Sequence, residues 1–171
     1  MSQLYYFAYG SNMSTRRLGA RIPTANPLSQ ATLAGHTLRW HKQGRDGSGK
    51  CDAFYTGEDD HRVVGVLYEI AIEDRPLLDQ FEGVGLGYDV ASVEIVLPTG
   101  ETCLAFTYRA TRIDASFIPY HWYKEHVIQG AREHELPDDY IIQLESVASM
   151  EDIDRIRHTR ELLIYHSDQQ L

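Results

Sequence analysis

The stretch Leu4–Met13, LYYFAYGSNM, constrains the fold of this chain more than any other. Leu4, Tyr5, Tyr6, Phe7 and Tyr9 make an apolar, aromatic run with the length and composition of a buried strand. The run breaks at Gly10-Ser11-Asn12, whose small residues suit tight, partly left-handed backbone. Ser14 is placed to cap a helix that opens over Thr15-Arg16-Arg17-Leu18. A strand, a small-residue loop and a helix start leave several amide N–H groups aimed at one spot, which favours an anion or a developing oxyanion. A strand-end turn would explain the same ten residues. Chemistry there needs a proton carrier from elsewhere in the chain.

The 171 residues suit one domain, spanning 1–171, and the 43% of them that are hydrophobic suffice for a packed core. The net charge of −9, with no basic block, argues against nucleic acid or an anionic membrane surface as partner. No apolar run approaches a membrane span. Met1-Ser2-Gln3 leads straight into the first strand without a basic segment or cleavage site, so a cytoplasmic location is expected. Cys51 and Cys103, far apart and outside any CxxC pattern, read as reduced, mostly buried thiols.

Beyond the opening unit, Arg21–Gln30 carries Pro23 and Pro27 and reads as a connecting loop. Thr32–His41 reads as a strand, Gln43–Lys50 as a polar glycine-rich loop and Asp52–Thr56 as a short strand. Val63–Ile70 is β-branched enough for a central strand. Glu73-Asp74-Arg75-Pro76 opens a helix with an apolar face at Leu77, Leu78 and Phe81, and Gly83 ends it. Tyr88–Leu97 and Glu101–Ala110 form a hairpin about Pro98-Thr99-Gly100. Helical segments follow at Tyr120–His134, Pro137–Val147 and Ile153–His166. Some six strands, a few short helices and a helical tail predict an α+β fold with a small, closed or nearly closed barrel.

Several motifs carry less than they promise. Gly44–Lys50 spells GxxxxGK, yet Cys51 follows in place of Ser or Thr and a strand in place of a helix, so a loop between strands is the better reading. Gly83-Val84-Gly85-Leu86-Gly87 follows a helix and precedes a strand, the reverse of a dinucleotide fingerprint. His121 and His126 fall on different faces of a helix, and no metal site is expected among the histidines. Ser11 lacks the GxSxG elbow of a serine hydrolase. Glu82 is different. At the C-terminal end of its helix, beside Phe81 and Val84, it is placed where the dipole and apolar neighbours both disfavour a charged carboxylate. Such a group can take a proton in one step and return it in the next, although most helix-end glutamates are simply solvated.

Taken together, YGSNM at Tyr9–Met13 and LDQFEGV followed by GY at Leu78–Tyr88 resemble the γ-glutamylcyclotransferase family of the AIG2-like superfamily. Trp122–Ala131 and Glu135–Tyr140 resemble the helix ending in Gly-Ala and the Leu-Pro segment that follow in that family. The likeness runs from about residue 4 to 147 and leaves the final helix unmatched. One departure is Ile118-Pro119-Tyr120-His121-Trp122, where the family often has Pro-Ser, and the bulky His121 and Trp122 are expected to reshape the pocket mouth.

The resemblance implies a small mixed β-barrel flanked by helices. It also implies formation of 5-oxoproline from a small-molecule γ-glutamyl amide, by attack of the substrate's own α-amine, with no metal or organic cofactor. Residue by residue, Glu82 matches the general acid/base. Tyr9, Gly10, Ser11 and Asn12 match the loop that holds the γ-glutamyl group, and Tyr88, Tyr108 and Tyr123 match pocket tyrosines. For the tyrosines, ordinary barrel packing is the competing explanation. The leaving group is open between amino acids and amines. Removal of a protecting group in one pathway, or binding without turnover, are the alternatives.

Overall fold

The computed structural model describes residues 2–166. Five strands close a barrel in the order β1 (Gln3–Ala8), β5 (Arg62–Ala71), β2 (Asn26–Ala34), β6 (Tyr88–Val96) and β7 (Thr102–Ala110). All neighbours are antiparallel except β7 and β1, which meet in parallel at Phe106 and Tyr6 and close the ring. A separate two-stranded sheet, β3 (His36–Gln43) with β4 (Gly49–Tyr55), packs beside it. The helices are α1 (Thr15–Arg21), α2 (Arg75–Glu82), α3 (His121–Glu133), α4 (Asp138–Ser146) and α5 (Arg155–Leu162). The architecture is α+β with a small mixed barrel, as the strand and helix pattern predicts.

Two local expectations fail, for one physical reason each. The segment expected as a connecting loop, Arg21–Gln30, already contains the start of β2. Pro27 is tolerated there because the register with β5 slips between Pro27 and Ser29, and a bulge spares the N–H that proline lacks. The expected single strand Thr32–His41 is two, because Gly35, at φ +69°, turns the chain between β2 and β3. The described residues therefore hold seven strands instead of six.

β5 is central, paired on both sides and buried along most of its length. The core takes both faces of the β1–β5 pair, with Phe7 and Leu67 on one and Val66 and Tyr68 on the other, and continues to Met13, Leu18 and Val127 beneath the helices. Gly65 permits it: a Cβ there would lie 2.4 Å from the Ala8 carbonyl oxygen. α3 crosses the loop after β1 as closely, since a Cβ at Gly130 would lie 2.4 Å from the Ser14 nitrogen. Cys51 is buried, Cys103 is partly exposed, and no disulfide joins them. No helix among the described residues is long and apolar enough to cross a membrane.

Candidate active site

β1 delivers the loop. After Ala8 the chain makes a 3-10 turn over Ser11–Met13, and Ser14 caps α1 by accepting the Arg17 N–H at 3.3 Å. Gly10 is required by close approach, because a Cβ would meet the Cys51 Cβ at 3.0 Å and the Tyr123 hydroxyl at 3.3 Å. The Met13 amide turns back to the Gly10 carbonyl, whereas the amides of Ser11 and Asn12 have no acceptor among the described residues. They are open donors of the kind a loop entering a helix provides.

α2 delivers the carboxylate. Pro76 lies in its first turn and Gly83, at φ +71°, ends it with N–H groups returning to Asp79 and Gln80, so Glu82 is held on the last turn. All eight residues singled out from the sequence line one cavity at one end of the barrel, and Tyr6 and Cys51 complete it. Glu82 Oε1 accepts from Asn12 Nδ2 and from Arg21 Nη1, both at 2.8 Å. Among the described residues its Oε2 has no partner.

The surroundings of Glu82 differ from those expected. Phe81 and Val84 are exposed and do not wall it off. Phe81 instead lies 5.3 Å from the Arg21 guanidinium and supports the cation that pairs with Glu82. Arg21 is not among the residues the sequence singles out, although Arg17 and Arg21, four apart on α1, share a face turned back to the loop.

The tyrosines act as neutral hydrogen-bonding groups. Burial pushes the hydroxyls of Tyr9, Tyr88 and Tyr123 well above the ordinary phenol range. Tyr88 donates to the Cys51 carbonyl at 2.6 Å, Tyr123 accepts from the Cys51 N–H at 3.0 Å, and Tyr9 donates to the Tyr108 carbonyl. Tyr108 donates to Asp79 Oδ1 at 2.6 Å, one turn before Glu82. Two alternative nucleophiles recede. Ser11 Oγ is bonded to Arg17 Nε at 3.1 Å and has no histidine beside it, and burial pushes the Cys51 thiol up.

The GxxxxGK segment folds on itself: Lys50 Nζ donates to Asp46 Oδ2 at 2.8 Å and to Ser48 Oγ at 2.6 Å. His121 and Trp122 do not shape the mouth. His121 is exposed and bonded to Ser149, and the buried Trp122 donates to Asp152 at 2.8 Å.

The C-terminal segment buttresses the loop. Arg17 pairs with Glu161 at 2.6 Å and reaches His126 Nε2 at 2.9 Å. His126 Nδ1 is 2.7 Å from the Tyr165 hydroxyl, which donates to Ser14 Oγ at 2.8 Å. With Nε2 accepting from Arg17, the network assigns the proton to Nδ1 of a neutral ring.

Comparison with known proteins bears on the family and the fold. Residues 62–144 match the AIG2-like family. The γ-glutamylcyclotransferases of Homo sapiens and Bos taurus are 30% and 32% identical, each over 83% of this chain and 77% of the relative. This chain belongs to the γ-glutamylcyclotransferase family. A solved γ-glutamyl cyclotransferase superposes with a TM-score of 0.87 at 26% identity, covering 96% of this chain and 99% of the other. Membership of the γ-glutamylcyclotransferase family makes the chain a cyclising enzyme.

Proposed function

We propose that the chain converts a γ-glutamyl amide into 5-oxoproline and releases the attached amine, with Glu82 as general acid and base. The observation that carries this is the placing of Glu82 and the Gly10–Asn12 loop on one cavity, with Oε1 fixed by Asn12 and Arg21 and Oε2 left open. Glu82 Oε2 takes a proton from the substrate's α-ammonium. The freed nitrogen attacks the γ-carbonyl carbon and forms the ring C–N bond. The scissile C–N bond then breaks as the departing nitrogen receives the proton from Glu82. The ring nitrogen gives its second proton to the carboxylate so regenerated, which passes it to the free amine as it leaves as an ammonium. Nucleophile and leaving group both belong to the substrate, so atoms balance without a co-reactant.

The open amides of Ser11 and Asn12 supply donors for the carbonyl oxygen as negative charge develops on it. Tyr9, Tyr88 and Tyr123 enclose the ring being formed and hold the chain in attack geometry, where much of the barrier is removed. The reading takes residues 1–171 as one domain, supported by the ties from Glu161 and Tyr165 at the C-terminal end to Arg17 and Ser14 beside the loop.

The test is 5-oxoproline release from a panel of γ-glutamyl dipeptides and amines. Wild type should release it, and Glu82→Gln should lower kcat by about 10²- to 10⁴-fold, the usual worth of a positioned acid/base. Binding of these ligands with no release by wild type would show a binding module and overturn the proposal.

A further inference from the structure

The two-stranded sheet holds a buried carboxylate that the cyclisation chemistry does not use. Asp52, on β4, is only 2% exposed. Its Oδ2 accepts from His41 Nε2 on β3 at 2.9 Å, and its Oδ1 accepts from the Ala110 N–H on β7, also at 2.9 Å. His41 is itself mostly covered, with its ring edge-on to Phe54 and the two centroids 5.5 Å apart. A carboxylate is costly to take out of water, and a well-packed apolar residue would serve the fold as well. The geometry around Asp52 supplies a reason for the cost.

A ring of four residues closes on Tyr88. Its backbone lies opposite Ala110 in the β6–β7 register, and the Ala110 N–H turns away from β6 to Asp52. The residue before Asp52 is Cys51, whose carbonyl accepts from the Tyr88 hydroxyl at 2.6 Å. Asp52 thus ties down both ends of Tyr88. The Cys51 N–H donates to the Tyr123 hydroxyl at 3.0 Å, so one residue of β4 holds two of the cavity's tyrosines. β3 repeats the pattern. Trp40 and Lys42, on either side of His41, reach the same two rings: the Trp40 ring stands edge-on to Tyr123 at 6.1 Å, and the Lys42 ammonium lies 4.5 Å from the centre of Tyr88. The charge of Asp52 also reaches Tyr9, where it adds to burial in keeping that hydroxyl protonated.

We propose that Asp52, held by His41, is a positioning residue for the reaction: by joining β3 and β4 to β7 it fixes the backbone of Cys51, and with it the hydroxyls of Tyr88 and Tyr123. It touches no reacting atom and acts only through those two tyrosines. Its effect on rate rests on the cyclisation reading above, whereas its effect on the Cys51 backbone does not.

The test is a double-mutant cycle of Asp52→Ala with Tyr88→Phe, read as 5-oxoproline release from γ-glutamyl-alanine. Asp52→Ala should lower kcat by about tenfold and move KM by less than about threefold, since the rings stay while their hydroxyls lose an anchor. Asp52→Asn keeps an acceptor for Ala110 and a partner for His41, and should recover most of the loss. In the Tyr88→Phe background Asp52→Ala should cost about threefold or less, because the bond it secures is already gone. The full loss in both backgrounds overturns the proposal, as does an Asp52→Asn enzyme as impaired as Asp52→Ala. Where Asp52→Ala does not fold, His41→Leu takes its place in the cycle, with His41→Gln as the conservative variant. Hydrogen exchange of the Cys51 amide reads the positioning without turnover. It should quicken by at least about tenfold in Asp52→Ala or His41→Leu, while the amides of β5 keep their protection. An unchanged Cys51 amide overturns the inference whatever the activity. A quickened amide in a protein whose wild type releases no 5-oxoproline supports the anchoring and fails the cyclisation reading alone.

Discussion

Arg21 and Asn12 share one oxygen of Glu82: the guanidinium and the amide nitrogen each stand 2.8 Å from Oε1, and Arg21 also donates to Asn12 Oδ1 at 2.9 Å. This triangle fixes the rotamer of a carboxylate on the last turn of a short helix, where its own backbone would leave it mobile. Arg21→Gln should therefore lower kcat by about 10- to 100-fold, from loss of a hydrogen bond to a charged group worth about 1.5–3 kcal/mol. Arg21→Lys should recover only part, since an ammonium lacks the planar fork that bonds two acceptors at once. Steady-state kinetics on both variants decide it, and an unchanged kcat in Arg21→Gln would remove the triangle from the mechanism.

Two glycines near the loop should respond oppositely to alanine. A methyl at Gly130 would meet the Met13–Ser14 peptide at 2.4–2.5 Å, and backbone on both sides cannot give way. Gly130→Ala should cost about 1–3 kcal/mol and shift the loop that carries Ser11 and Asn12, so activity falls with stability. Gly19 lies inside α1 with nothing within 4 Å of an added methyl. Gly19→Ala should gain about 0.5–1 kcal/mol from helix propensity alone. Denaturant midpoints measure both, and a stabilised Gly130→Ala would show that α3 does not press on the loop.

Glu82 and the Gly10–Asn12 loop were legible because each carries local chemistry: an aromatic run broken by small residues, and a helix bracketed by Pro76 and Gly83. The β2–β3 turn was not, since Gly35 sits among residues that alternate as one strand would, and only its left-handed backbone reveals the break. Arg21 left a trace in its four-residue spacing from Arg17. Lys42 left none. It falls between the expected strand that ends at His41 and the polar loop that opens at Gln43, and only the folding of β3 and β4 beside the barrel lays it against Tyr88. What stays hidden is decided by contacts distant in sequence, as with the parallel meeting of Tyr6 and Phe106 that closes the barrel.

The clamp at the C-terminal end should make stability fall with acid. Burial holds the His126 ring neutral down to about 4, below the 6.5 of a free imidazole, and the same cluster holds Glu161 down at about 2. Between pH 6.5 and 4 the unfolded chain binds a proton at His126 that the folded chain does not, so folding weakens as pH drops through that window. The full histidine effect is on the order of 3 kcal/mol. Glu161, whose folded value is also depressed, adds stability above the ordinary carboxylate range that is lost further toward pH 2. Urea unfolding at pH 7, 5.5 and 4.5 should show a shallower decline in His126→Gln than in wild type. Parallel declines would mean that the buried ring does not govern the acid response.

The tether between Tyr108 and Asp79 anchors the C-terminal half of α2 to β7. Tyr108, on β7, donates to Asp79 Oδ1 at 2.6 Å, and Arg75 Nε holds the same oxygen at 2.7 Å from one turn earlier on α2. Glu82 lies three residues beyond Asp79, so a displacement of Asp79 is carried along the helix to the carboxylate. Tyr108→Phe removes the hydroxyl alone and keeps the ring packed on Tyr6, Tyr88 and Phe106. Asp79 retains Arg75, so the loss should be about 1.5–3 kcal/mol of stability, the worth of one hydrogen bond to a charged acceptor. Because the ring stays, KM should change little while kcat falls, through misplacement of Glu82 and not loss of enclosure. Asp79→Asn keeps an acceptor for the hydroxyl but loses the pairing with Arg75, and should lower kcat less than Tyr108→Phe. A Tyr108→Phe enzyme with a raised KM and an unaltered kcat would show instead that the hydroxyl meets the substrate directly, and that the helix finds its place without it.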